Sequence, residues 1–135
     1  MNYELLIKLG GVFHVICAAF HIIFPRMFKW KEHLDSLPVP GKNVIKENLY
    51  ISNICMLLFW LILACIPFFY SHEMLSTQIG KALLTCIVVL WIVRIFILHP
   101  VFSDIKSKLS IARVIFFLCG FSLFLIPWIR YCIIE

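Results

Sequence analysis

His14, Cys17 and His21 follow Gly10 at spacings of four, three and four, so on a helix all four share one face. Two imidazoles and a thiol on one stripe suggest a metal or haem site, but the spacing argues against both. His14 and His21 stand about 10 Å apart along a helix axis, too far to hold one iron from opposite sides. A haem would need His99 or a second copy of the chain. A metal at His14, Cys17 and His21 meets the same span and lacks a nearby carboxylate, so no metal site is expected. The sequence leaves open whether His14, His21 or His99 binds a cofactor. The simpler reading is that both stripe histidines hydrogen-bond to another helix.

A second set of polar residues is defined by depth. Arg94 lies four residues inside the apolar block that ends at position 98, about 6 Å from its edge. Asn53 is similarly deep in the second block, and His21 enters the same leaflet from the first. A layer of Arg94, Asn53 and His21 offers hydrogen bonds to a carboxylate, phosphate or quinone oxygen. Two plainer readings compete. Arg94 can extend its stem to the headgroups, or it can pair with Glu47 as a structural lock.

The elements that must position these residues are four apolar blocks, 5–24, 49–70, 79–98 and 111–129, each about the 20 residues that cross a bilayer as a helix. The 135-residue chain is 63% hydrophobic, with mean hydropathy +1.02. A soluble domain of this size cannot bury so much apolar surface. The expected fold is all-α: a polytopic, four-transmembrane-helix antiparallel bundle forming one domain over 1–135, with a short interfacial segment after the first helix. The first block has Glu4 beside Lys8 and no small-x-small cleavage site, so it is expected to remain as a span.

Pro25 is expected to end the first helix at Phe24. The run from Pro25 to Leu34 alternates aromatic and basic residues, as suits a short helix at headgroup level with its apolar side in lipid. The sequence from Pro38 to Gly41 is a turn signal, and the second helix then starts within 42–48. Residues 71–78 read as a short loop joining two antiparallel neighbours. His99 and Pro100 are expected to stop the third helix.

Basic residues outnumber acidic ones by 12 to 7. They cluster in the first and third connections, at Arg26, Lys29, Lys31, Lys42 and Lys46 and at Lys106, Lys108 and Arg113. Lys8, Lys81 and Arg130 lie toward the other side. The positive-inside bias places the basic connections in the cytoplasm of an inner-membrane protein, with both termini periplasmic. The charge therefore reads as topology, not nucleic-acid binding.

Several chemistries lack their residues. All six cysteines sit in or beside apolar blocks without a C-x-x-C pair. No nucleophile elbow, phosphate loop or two-histidine zinc motif occurs. The acidic residues all fall in connections or at block ends, which disfavours cation-coupled transport.

His21-x-x-Phe24-Pro25-x-x-Phe28-x-Trp30, then Leu34, Asn48 and Trp91-x-x-Arg94, resembles small bacterial four-helix integral membrane proteins of unassigned function. The resemblance implies the four-helix fold, pairs the exit of the first helix with Trp91 and Arg94, and supplies no substrate or cofactor. His99 and Pro100 depart from it where Gln is expected.

The leading expectation is a non-enzymatic membrane protein that binds a lipid, a polar-headed hydrophobic molecule or a protein partner through Arg94, Asn53, His21, His14 and Trp91. Its partners are membrane lipids and, for protein contacts, a second copy or another membrane protein. One rival is an oligomeric anion channel or transporter subunit built around Arg94. The other is a haem- or quinone-binding redox protein.

Overall fold

The computed structural model describes residues 2–36, 40–98 and 108–134. His99, Pro100 and Lys106, and Pro38 and Val39 of the expected turn, lie outside them. The helices are α1 (Tyr3–Met27), α2 (Trp30–Asp35), α3 (Lys42–Phe69), α4 (Ser71–Ser76), α5 (Gln78–Ile92) and α6 (Lys108–Trp128). α5 continues as a π-helical segment over Val93–Leu98, and α6 as another over Ile129–Ile134. Among the described residues there is no strand.

Four helical stretches are long and apolar enough to cross a membrane: Tyr3–Met27, Lys42–Phe69, Gln78–Ile97 and Ile111–Cys132. An all-helical solution follows from the solvent, because hydrocarbon offers no partner to a free amide or carbonyl. Each span keeps apolar side chains outward; Ile22 is 63% exposed, Ile62 62% and Phe96 62%. In lipid such exposure carries no hydrophobic penalty.

The chain divides into two compact units, one of Met1–Gly11 and Ile66–Glu135 and one of Val12–Cys65. In the 12–65 unit, α1 and α3 are antiparallel neighbours, since His14 bonds to Leu63 while His21 bonds to Asn53. Lys29 takes a left-handed conformation (φ 47°) between α1 and α2. α2 is then held by aromatic contacts, with the Trp30 ring 5.8 Å from Phe24 and 5.7 Å from Tyr50. A short helix does follow α1, over Trp30–Asp35, whereas residues 25–27 of the expected segment continue α1. The α2 tryptophan, however, packs on α1 and α3, because ring-on-ring contact is available there. Lys46 on α3 closes the connection with a 2.9 Å ion pair to Asp35.

In the other unit, α5 and α6 run antiparallel. The Trp128 indole donates to the Thr85 hydroxyl at 2.8 Å, and Trp91 lies 5.9 Å from Phe117. The start of α1 packs on α6 at Gly10, where a Cβ would overlap the Phe124 ring. Gly10 thus permits a close helix approach, the role that small residues play in membrane interfaces.

Residues 71–76 form a helix where a loop is expected. Ser71, Met74 and Leu75 are buried, and Thr77 then accepts a 2.9 Å bond from the Gly80 amide to start α5. A Cβ at Gly80 would strike the Glu73 carbonyl, so only glycine lets α5 begin this close to α4. Burial of one apolar turn outweighs the polar look of the segment.

α1 also extends through Pro25 to Met27 instead of ending at Phe24. Proline removes the amide that would bond to the carbonyl four residues back, at His21. The Asn53 side-chain amide donates to that carbonyl at 2.8 Å. A neighbouring helix therefore supplies the missing donor, and the helix need not stop.

Candidate ligand-binding sites

Three residues of the expected layer's first two helices form a closed cluster within the 12–65 unit. Trp60 fixes it, because an indole N–H can only donate. Its Nε1 donates to His21 Nε2 at 3.2 Å. That nitrogen must carry the lone pair, so the proton sits on Nδ1. His21 Nδ1–H donates in turn to Asn53 Oδ1 at 2.9 Å, while Asn53 Nδ2 donates to the His21 carbonyl. One asparagine amide thus grips both the ring and the backbone of one residue.

His14 repeats the device one step along the hairpin. Its Nδ1–H donates to the Leu63 carbonyl at 3.0 Å. Leu63 is four residues before Pro67, which lies inside α3 and has no amide to give. The His14 ring is fully buried and lies 5.3 Å from the Trp60 ring. Each stripe histidine therefore sits at a carbonyl that a proline deprives of its helical donor. The sequence showed the histidines, the asparagine and the prolines; the pairing between helices is what it did not reveal. His21, Asn53 and Trp60 spend their main donors and acceptors on one another, which suits them to hold two interrupted helices together.

Trp91 and Arg94 belong to the other unit. Trp91 is completely buried, and the Arg94 guanidinium stands 4.7 Å over the Phe117 ring. Arg94 lies within the π-helical segment Val93–Leu98; such widened turns recur at functional sites. The α5–α6 register brings a second guanidinium toward this end. Arg113 lies one turn beyond Phe117, as Arg94 lies about one turn beyond Trp91 in the same direction. Its Nε is buried with no hydrogen-bond partner among the described residues. Sequence reasoning counted Arg113 only as a topological charge.

The opposite end of the same helices holds a cavity of about 450 Å³, walled by residues that include Tyr3, Glu4, His72, Lys81 and Tyr131. A smaller neighbour of about 410 Å³ shares Lys81 and Tyr131. Glu4 pairs with His72 at 2.9 Å, and Tyr3 meets Tyr131 edge to face at 5.5 Å. No sequence spacing pointed here, because these residues come from three separate span ends and from α4.

Among the described residues, no group of three or more His, Cys, Asp and Glu side chains converges as metal ligands. Among the described residues no cysteine is joined in a disulfide. Fold and sites together define an all-α polytopic membrane protein whose polar side chains concentrate in a helix-joining cluster and at two ends of one helical unit. No family model, curated protein or solved structure matches the chain.

Proposed function

We propose that this protein is a non-enzymatic inner-membrane protein that binds a lipid or similar polar-headed hydrophobic molecule through Arg94 and Arg113, with Phe117, backed by the buried Trp91, as the apolar wall beneath the head. The observation that carries this reading is the buried Arg113 Nε, which has no hydrogen-bond partner among the described residues, at the end of α5–α6 where Arg94 also lies. A buried guanidinium N–H without an acceptor is costly, and a phosphate or carboxylate oxygen would supply one. Guanidinium groups suit such oxyanions through paired, planar donors. His14, His21 and Asn53 then act as the scaffold rather than as direct ligands.

The positive-inside bias of the basic connections supports a cytoplasmic leaflet for this end, with both termini periplasmic. α2, with Trp30 and Lys31 in its first turn and Lys29 before it, has the aromatic and basic residues of a headgroup-level helix.

Native mass spectrometry of protein purified in mild detergent tests the reading. Wild type is expected to retain an anionic amphiphile. Arg94→Ala and Arg113→Ala each weaken retention about tenfold, the scale of one charge-assisted hydrogen bond, while Arg113→Lys weakens it less. Retention unchanged in the double alanine variant would overturn the proposal. Absorbance of the same sample addresses the redox alternative, for which a Soret band is the signature.

A further inference from the structure

We infer that the cavity at the other end of this unit is a site for the zwitterionic head of an amine-bearing phospholipid, with Lys81 receiving the phosphate and Glu4 the ammonium. Three observations lead there. First, one cavity of about 450 Å³ is walled by side chains of both signs, Lys81 on α5 and Glu4 on α1. No carboxylate among the described residues pairs with Lys81, whereas Glu4 Oε1 bonds to His72 and leaves Oε2 for another donor. An isolated anion would gain Lys81 but face Glu4; an isolated cation would meet the reverse. A ligand carrying phosphate and amine a few bonds apart satisfies both.

Second, the site lies at the ends of three spans. The apolar helices begin at Tyr3 and Gln78, and the last span ends at Cys132. Lys81 is within one turn of its span end. This is the depth of lipid headgroups, where tyrosines also concentrate. The volume falls in the range of sites for small molecules.

Third, the aromatic wall discriminates between amines. Tyr3 and Tyr131 pack edge to face on each other, forming a wall and not the open cage that a quaternary ammonium requires. A primary ammonium instead donates directly to the free Glu4 oxygen. Phosphatidylethanolamine fits this pattern better than phosphatidylcholine or phosphatidylglycerol.

The test is native mass spectrometry of the full chain titrated with palmitoyl-oleoyl phosphatidylethanolamine, phosphatidylglycerol and phosphatidylcholine, with N-acetylated phosphatidylethanolamine as a ligand lacking the ammonium. In the Arg94→Ala/Arg113→Ala double variant, which lacks the anion site proposed for the other end, phosphatidylethanolamine is expected to bind about tenfold more tightly than the other three. Glu4→Gln should erase that preference, Lys81→Gln should weaken binding of every phospholipid, and Lys81→Arg should restore it. If the double variant fails to fold, Glu4→Gln decides the point in the wild-type background, where it should lower the affinity for phosphatidylethanolamine about tenfold and leave that for the N-acetylated lipid unchanged. In the double variant, equal binding of the acetylated and free-amine lipids, or a preference for phosphatidylglycerol, would overturn the inference. Soluble phosphoethanolamine binding as tightly as the lipid would also overturn it, since the ligand would then be a small molecule from water. Glu4→Gln and Lys81→Gln are expected to leave anionic-amphiphile retention at the Arg94–Arg113 end unchanged, so the two sites can fail separately.

Discussion

Asn53 on α3 donates its side-chain amide to the backbone carbonyl of His21 on α1 at 2.8 Å, the carbonyl that Pro25 leaves without a helical donor. The same amide's oxygen accepts from the His21 ring at 2.9 Å. A helix interrupted by proline is thereby completed by its neighbour. His14 does the same for Leu63 ahead of Pro67. Two crossed repairs, one from each helix to the other, tie the hairpin of α1 and α3.

Asn53→Ala is expected to destabilise the fold by about 1–3 kcal/mol, the cost of leaving a part-buried carbonyl unsatisfied. In a Pro25→Ala background the restored amide supplies that carbonyl, so the same substitution should cost less. Unfolding in detergent measures the coupling through a double-mutant cycle. Equal cost in both backgrounds would show that Asn53 does not serve the proline-freed carbonyl.

The bonding pattern also fixes ring tautomers. Both His14 and His21 are expected to carry their proton on Nδ1, because one faces the Leu63 carbonyl and the other faces Asn53 Oδ1 with Trp60 donating to its Nε2. Nitrogen NMR of ring-labelled protein reads this directly. Trp60→Phe should leave the His21 proton on Nδ1, since Asn53 Oδ1 still accepts it, whereas Trp60→Phe combined with Asn53→Ala should release the constraint, seen as a mixture of tautomers.

Gly10→Leu drives a side chain into the Phe124 ring. A loss of about 1–3 kcal/mol is expected, as for other overpacked positions. Phe124→Leu, by opening space, should recover part of it. Thermal unfolding of the two single variants and the double variant checks the compensation.

Outside the spans, hydrogen bonding from the Lys46 ammonium holds the Asp35 carboxyl below its ordinary range. A carboxylate with a depressed folded value stabilises its contact above the unfolded value and loses that contribution as pH falls through the folded one. The clip between α2 and α3 should therefore persist at neutral pH and loosen in acid. A carbon NMR titration of Asp35 follows it; in Lys46→Ala the midpoint should rise. No change of midpoint in that variant would remove the ion pair as the cause.

What the sequence by itself determined is the class and the number of spans. Blocks of about 20 apolar residues have one stable course in hydrocarbon, as helices with every backbone bond made internally, and they require no knowledge of neighbours. The shared face of His14 and His21 was equally legible, since helical periodicity is local. Element ends were less so: Pro25 read as a terminator because its lost donor is local, while its replacement comes from Asn53, 28 positions away in the chain. The same holds for Leu63 and His14, and for the convergence of Tyr3, Glu4, His72, Lys81 and Tyr131 on one cavity. Only the tertiary structure decided these, because a side chain's partner on another helix depends on the register in which the two helices pack, and register is set by contacts such as Gly10 on Phe124 rather than by either helix alone.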